Sequence, residues 1–193
     1  GPDIGDYTGM PINAADRMRA DSWSPEKWTA LVHECEPHPA DYAPWGPGSL
    51  HIWSDVDPHT KTVTAWHVQF MWMQPVQTID MDGRGPLPPY AVHTWEGYST
   101  GEWVGDMLKV TTTHLKEGWI QRNGLARSEE AHLTEYFIRH DDNLTEAIIV
   151  HDPVYLTEPF IRGANWVLDP GYHPIPSTCT PTVELPHPKG WVA

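Results

Sequence analysis

Alternation of apolar and polar residues dominates the chain from about residue 50 onward. Between Thr62 and Trp72 it places His67 and Gln69 on one face of a predicted strand and Trp66 and Phe70 on the other. Both faces are largely apolar. We therefore expect that both are covered, or that one of them lines a ligand cavity.

The same period of two recurs along the chain, and the segments that carry it are separated by turn residues. The other predicted strands are Leu50–Trp53, Val76–Met81, Val92–Trp95, Gly101–Trp103, Met107–Leu115, His132–His140, Leu144–Val150 and Ala164–Leu168. About eight to nine short strands without a long helix predict an all-β fold. We expect an up-and-down antiparallel β-barrel, because closure removes exposed strand edges. A barrel of this size is filled by side chains or holds one small ligand.

The ends of the chain have a different pattern. Asn13–Ala20 and the segment that starts at Ser24 read as short helices with capping residues. This predicts an N-terminal extension over residues 1–48 that packs on the barrel, a β-barrel domain over 49–170 and a proline-rich tail over 171–193.

Composition narrows the function classes. The net charge of −14 argues against nucleic acid and anionic membranes as partners. No apolar run approaches the length of a membrane span, and the first residues lack the basic and apolar regions of a signal peptide. Cys35 and Cys179 are expected to form one disulfide, which predicts a periplasmic or secreted protein. The alternative is two unrelated buried thiols.

Three motifs between Gly101 and Phe160 resemble a known family. They are Gly-x-Trp-x-Gly-Asp-x-Leu-x-Val, Leu-Thr-Glu-Tyr-Phe and Asp-Pro-Val-Tyr-Leu-Thr-Glu-Pro-Phe. Over about residues 95–170 the chain resembles lipocalin-like (calycin) β-barrels, and more closely a group of largely uncharacterised secreted bacterial proteins. The resemblance implies a barrel, export and a pocket. It implies no particular reaction, because these motifs are structural.

A charged pair is the first candidate for chemistry. Glu135 and Arg139 fall on one face of a strand, interleaved with Leu133 and Phe137. Charges among apolar neighbours must pair or stay hydrated. We predict that Glu135 and Arg139 face the interior and act with His67 as catalytic groups. The alternative is a purely structural ion pair.

The 12 histidines raise the question of a metal. The chain has no HExxH motif and no Cys/His spacing typical of zinc, so a metal site would have to combine separate strands. His93, His114 and His140 each lie near a strand end and are predicted to converge at one barrel mouth, where three imidazoles would suit Zn, Cu or Fe. The alternative is that each is a hydrogen-bonded rim residue.

The 11 tryptophans suggest a cavity lined by aromatic side chains. Trp66, Gln69, Trp95 and Tyr136 are predicted to contact a small hydrophobic or aromatic molecule, although core packing explains most tryptophans equally well. Serine-hydrolase, P-loop and dinucleotide-binding motifs are missing. Three interpretations therefore stay open: an exported small-molecule-binding barrel, an enzyme of the lyase, isomerase or oxidase type that uses histidine or a metal, and a structural or partner-binding protein.

Overall fold

Eight strands form one strongly curled sheet with the shape of a half-barrel, in the order β1-β2-β3-β4-β5-β8-β9-β10. The structure is a computed structural model that describes residues 2–28 and 36–173. The strands are β1 (Leu50–Val56), β2 (Val63–Phe70), β3 (Val76–Asp80), β4 (Tyr98–Val104), β5 (Met107–Thr113), β6 (Gly118–Trp119), β7 (Ala126–Arg127), β8 (His132–His140), β9 (Asn143–His151) and β10 (Phe160–Val167). The prediction of an all-β fold is confirmed.

One pairing in the sheet differs from the predicted antiparallel meander. β3 and β4 run parallel and pair only through Ile79–Ser99 and Asp80–Thr100. The long connection over residues 81–97 carries the chain back before β4 begins, which is what a parallel neighbour requires. The predicted strand Val92–Trp95 lies in this connection and is not a strand. It makes a single bridge, between Thr94 and Leu115.

The two ends of the sheet, β1 and β10, do not pair with each other among the described residues. The coil over residues 36–49 packs between them. Ala43 and Trp45 join the core, and the ring of Trp72 covers Gly46, where an added Cβ would lie 2.2 Å from that ring. The concave face is therefore filled largely by this coil and by strand side chains. The buried core residues are Ala40, Ala43, Val68, Phe70, Ile79, Leu108, Val110, Leu115, Ile120, Leu133, Phe137, Ile148, Val150 and Leu156.

The N-terminal part contains α1 (Ala14–Asp21), α2 (Pro25–Trp28) and a 3-10 turn (Ala43–Trp45). Asn13 caps α1, as predicted, by accepting from the backbone N–H groups of Ala15 and Asp16 at 3.0 Å. The Asp16 carboxylate lies at the third position of α1, but it is buried and accepts from Ala126 N–H at 3.1 Å. Asp16 therefore ties α1 to β7.

Two sequence predictions fall outside the described residues. Cys35 and Cys179, with their predicted disulfide, lie in residues 29–35 and 174–193, as does most of the proline-rich tail. Within the part of the chain that the structure describes, no helix is both long enough and apolar enough to span a bilayer.

Candidate functional site: a carboxyl pair and a histidine cleft

Two neighbouring strands each place a glutamate on the inner face of the sheet. Glu135 lies on β8 between the core residues Leu133 and Phe137. Glu146 lies on β9 opposite Phe137, so the two carboxyl groups are diagonal neighbours across the ladder. Both side chains are 0% exposed. We call Glu135 and Glu146 the carboxyl pair.

Polar side chains from β3, β4 and β5 reach this pair. Gln77 Nε2 donates to Glu135 Oε2 at 2.6 Å, and the Thr112 hydroxyl donates to the same oxygen at 3.3 Å. Thr112 Oγ1 also lies 2.7 Å from Ser99 Oγ. Glu135 Oε1 and both oxygens of Glu146 are buried without a hydrogen-bond partner among the described residues. Two ionised carboxylates in such a place would be unpaired buried charges, which favours a proton on at least one of them.

Burial sets the protonation of the carboxyl pair. It raises the pKa of Glu135 to about 7, although the hydrogen bonds from Gln77 and Thr112 act in the opposite direction. The pKa of Glu146 is raised well above its ordinary value, first by burial and then by the charge of Glu135. The arrangement therefore holds a proton inside the sheet near neutral pH.

The predicted partner of Glu135 is elsewhere. Arg139 lies on the same strand face but at the exposed end of β8, where its Nε donates to the backbone carbonyl of Asp141 at 2.9 Å. The prediction that Glu135 and Arg139 form an interior pair is therefore wrong. The β8–β9 hairpin turns at Asp141, and the last three residues of β8 before it are exposed.

An open cleft lies on the opposite, outer face of the sheet. It has a volume of about 420 Å³, within the range of ligand sites. We call it the histidine cleft, and its lining residues are Pro89, His93, Thr113, His114, Glu129, Glu130, Ala131 and His132. Thr113 ends β5 and His132 begins β8, and the alternation along β8 puts His132 on the face opposite Leu133 and Glu135. The cleft therefore lies outside the concave interior of the half-barrel.

Backbone carbonyl groups fix two of the imidazoles. His93 Nδ1 lies 2.8 Å from Leu115 O, so it is the protonated nitrogen in the neutral ring and Nε2 keeps its lone pair. His114 Nε2 lies 2.9 Å from Pro88 O, and its Nδ1 lies 2.9 Å from the Thr113 hydroxyl. His114 has a left-handed backbone with φ of 56°, which turns the chain directly after β5. The ring centroids of His93 and His114 are 5.2 Å apart.

His132 of the cleft also belongs to a second pair of imidazoles. His132 and His151 lie directly opposite each other on β8 and β9, and their rings stack at 4.5 Å with an interplanar angle of 3°. Burial, and next the neighbouring His151, lower the pKa of His132. The ring of His132 therefore favours its neutral form at neutral pH.

The predicted metal triad is not assembled. His93 and His114 do meet, but His140 lies at the other end of β8, about 26 Å along the strand from His132. Its nearest charged neighbour is the exposed Asp141, 3.4 Å away. Across residues 2–28 and 36–173, no group of three His, Cys, Asp or Glu side chains is placed to hold a metal ion.

His67 lies on the outer face of β2 in a chain of contacts. Its Nε2 is 3.0 Å from Asp55 Oδ2, its Nδ1 is 3.1 Å from Thr78 Oγ1, and its ring stacks on Trp53 at 5.0 Å. It belongs to neither the carboxyl pair nor the histidine cleft. The three residues predicted to act together, His67, Glu135 and Arg139, are thus in three separate places.

The predicted ligand contacts are also dispersed. Trp66 packs against the core, whereas Gln69 and Tyr136 lie on outer strand faces. Trp95 lies under the ammonium group of Lys116, 4.7 Å from the ring centroid. An aromatic-lined interior pocket is therefore not formed by these four residues.

Sequence reasoning missed most of the residues that the fold brings together. Gln77 and Glu146 were not predicted as site residues, because an amide or a carboxyl group in a predicted strand forms no recognisable motif. His132 and His151 carried one usable signal: each is a histidine at the outer end of a strand in a hairpin centred on residues 141–142, so the register makes them cross-strand neighbours.

Comparisons with protein-family models, characterised proteins and solved structures give no match to this chain. The fold and its sites define the class as an all-β half-barrel that combines a buried carboxyl pair with an open histidine cleft. The lipocalin-like resemblance stays a prediction.

Proposed function

We propose that the protein binds a small molecule in the histidine cleft. The observation that carries this proposal is the convergence of three histidines from different segments on one open cleft of about 420 Å³. His93 comes from the β3–β4 connection, His114 follows β5 and His132 begins β8. A concave surface with a few convergent polar groups is the usual form of a ligand site.

The hydrogen bonds of the cleft support this function because they hold the polar groups before a ligand arrives. His114 is bound through both ring nitrogens, to Pro88 O and to Thr113 Oγ1. Among the described residues His93 is held through Nδ1 alone, so its Nε2 is available to accept a hydrogen bond from a ligand. Pre-organised groups lower the entropy cost of binding.

Binding is tested with a panel of small ring compounds, observed through the imidazole resonances of the protein. We expect binders to shift the resonances of His93, His114 and His132. His93→Phe keeps a ring but removes the acceptor, and should weaken those binders at least tenfold, whereas His59→Phe on the exposed β1–β2 turn should not. A panel that leaves the three cleft resonances unmoved in folded protein contradicts the proposal.

General-base catalysis in the same cleft is a second candidate, favoured by the free lone pair of His93 Nε2. A positioned imidazole of this kind removes protons near neutral pH. A nitro-substituted benzisoxazole, which opens when a base takes its ring proton, is a suitable probe. We expect turnover above that of free imidazole, lost in His93→Phe and kept in His59→Phe. Equal turnover in both variants removes the candidate.

Closure into a lipocalin-like barrel and export from the cytoplasm are further parts of the proposal. The curled sheet and the coil that fills the space between β1 and β10 support barrel closure. Export rests on the resemblance and on the expected Cys35–Cys179 disulfide. Titration of thiols in denatured protein tests that bond: no reactive thiol is expected, and two would contradict it.

A further inference from the structure

We propose that the ligand of the histidine cleft is a small organic cation, an amidine or amine on a compact apolar body. The inference rests on the proposed function, since it names the chemical class that the same cleft would take. Three features support it. They are the negative charge of Glu129 and Glu130, the acceptor nitrogen of His93 and the hydrogen-bonded turn that carries the two glutamates.

The charged side chains that line the cleft are of one sign. Glu129 and Glu130 are both exposed carboxylates, and among the described residues that line the cleft none is a lysine or an arginine. The nearest arginine in the sequence, Arg127, is 0% exposed and points away to Asp41, with Nη1 3.3 Å from Oδ1. The cleft therefore favours a positive ligand over a neutral or negative one of the same shape.

The turn that carries Glu129 and Glu130 is held in place from below. Buried Asp152 accepts from Ser128 N–H at 2.6 Å and from the Ser128 hydroxyl at 2.8 Å. The same carboxylate accepts from Val154 N–H at 2.9 Å. Ser128 Oγ also accepts from Glu130 N–H at 3.2 Å. This network fixes the backbone of the turn at Ser128 and Glu130, and so holds both carboxylates at the rim of the cleft.

The uncharged part of the cleft fits the rest of such a ligand. His93 Nε2 accepts an N–H, which amidines and amines supply and carboxylates do not. His132 favours its neutral form, so it does not add a competing positive charge. Pro89, Ala131 and the methyl group of Thr113 offer apolar surface for a ring.

Three probes of equal shape separate charge from shape: benzamidine, benzamide and benzoate. Binding is measured by calorimetry, with the imidazole resonances of His93 and His132 marking the site. Benzamidine should bind at least tenfold more tightly than benzamide, and benzoate most weakly. In the Glu129→Gln/Glu130→Gln double variant, benzamidine should fall to the affinity of benzamide, while benzamide is unchanged. Glu158→Gln, which removes an exposed charge outside the cleft, should change neither.

The outcomes distinguish this inference from the proposed function. If benzamide and benzoate bind in the cleft as tightly as benzamidine, the cleft is a ligand site but the cation class is wrong. Two other results count against the cation class: benzamidine binds without moving the cleft resonances, or it binds the double variant as tightly as the unmodified protein. Either result means that it responds only to the overall negative charge of the protein, and the inference is overturned. If no probe and no member of the wider panel moves those resonances, the proposed function fails as well.

Discussion

The carboxyl pair and the histidine cleft use opposite faces of one strand. Glu135 and His132 are three residues apart on β8, so the alternation sends one inward and the other outward. Inside, two groups of like charge lie where water does not reach, and burial forces a proton onto them. Outside, the cleft is open, and His93 and His114 each hydrogen-bond a backbone carbonyl.

A titratable residue can contribute to the stability of the fold or to a binding site, and the two regions differ in this respect. The carboxyl pair is joined to five strands, so changes there should act first on the stability of the fold. The histidine cleft lies at strand ends and in a connection, where a side chain can be changed without opening the core. Variants of the carboxyl pair should therefore change mainly the stability of the fold, whereas variants of the histidine cleft should change mainly the cleft itself.

The largest effect is expected from Gln77→Ala. Gln77 is 2% exposed, and its amide is the closest donor to Glu135. The change leaves a cavity and an unsatisfied carboxyl oxygen, which should lower the free energy of unfolding by about 3 kcal/mol. Gln69→Ala, on the outer face of the neighbouring strand, should cost about 0.5 kcal/mol. Urea unfolding measures both, and equal losses would show that the inner network does not stabilise the sheet.

The next effect is a pH dependence that Glu146→Gln should remove in part. The pKa values of both carboxyl groups are raised in the folded protein, so folding takes up protons above the ordinary glutamate pKa of 4.5. The stability that comes from Glu135 is complete below about 4.5 and is lost as the pH rises through about 7, and that from Glu146 is lost as the pH rises through its own raised pKa. The loss is at most about 1.4 kcal/mol per pH unit for each proton.

Unfolding curves between pH 5 and 8.5 check the sign of this dependence. Glu146→Gln removes one of the two charges and keeps the shape, so it should flatten the curve and stabilise the protein at pH 8. Glu158→Gln supplies the matched control at an exposed position. A variant curve as steep as that of the unmodified protein would place the pH dependence elsewhere.

A smaller effect is expected at the stacked imidazoles. The pKa of His132 is lowered first by burial and second by His151. His151→Ala should therefore move the pKa of His132 part of the way back towards 6.5, because burial remains. A histidine ring titration followed by NMR measures this shift. An unchanged value in the variant would mean that burial alone sets the pKa.

Much of the architecture was predictable from the sequence, because alternation is a local signal. It identified β2, β5, β8 and β9, and Asp141–Asn143 as the turn of a hairpin, which the register confirms. The start of β10 was placed four residues late, at Ala164 instead of Phe160, since Gly163 breaks the pattern. The parallel β3–β4 pair was not predictable, because it depends on where the connection over residues 81–97 returns.

The candidate sites were less predictable, because they depend on which strands become neighbours. Assigning Glu135 to the inner face was correct, and it followed from Leu133 and Phe137. The prediction of Arg139 as the partner of Glu135 was wrong, because Arg139 shares the strand face but lies beyond the edge of the core. Gln77, which does contact Glu135, comes from a strand 58 residues away. Strand alternation fixes the direction of a side chain and leaves its long-range partner open.

The smallest effect is expected at the exposed end of β8, and it sharpens the contrast between the two regions. His140 was predicted to share a metal with His93 and His114, but its side chain is 88% exposed at the hairpin. His140→Ala should change the free energy of unfolding by less than about 0.5 kcal/mol and leave the cleft resonances in place. His132→Ala, eight residues away on the same strand face, should shift the resonances of His114 and His151 with a similarly small effect on stability. If His140→Ala instead moved the cleft resonances, the two ends of β8 would have to communicate through the strand, and the cleft could not be treated as a local site.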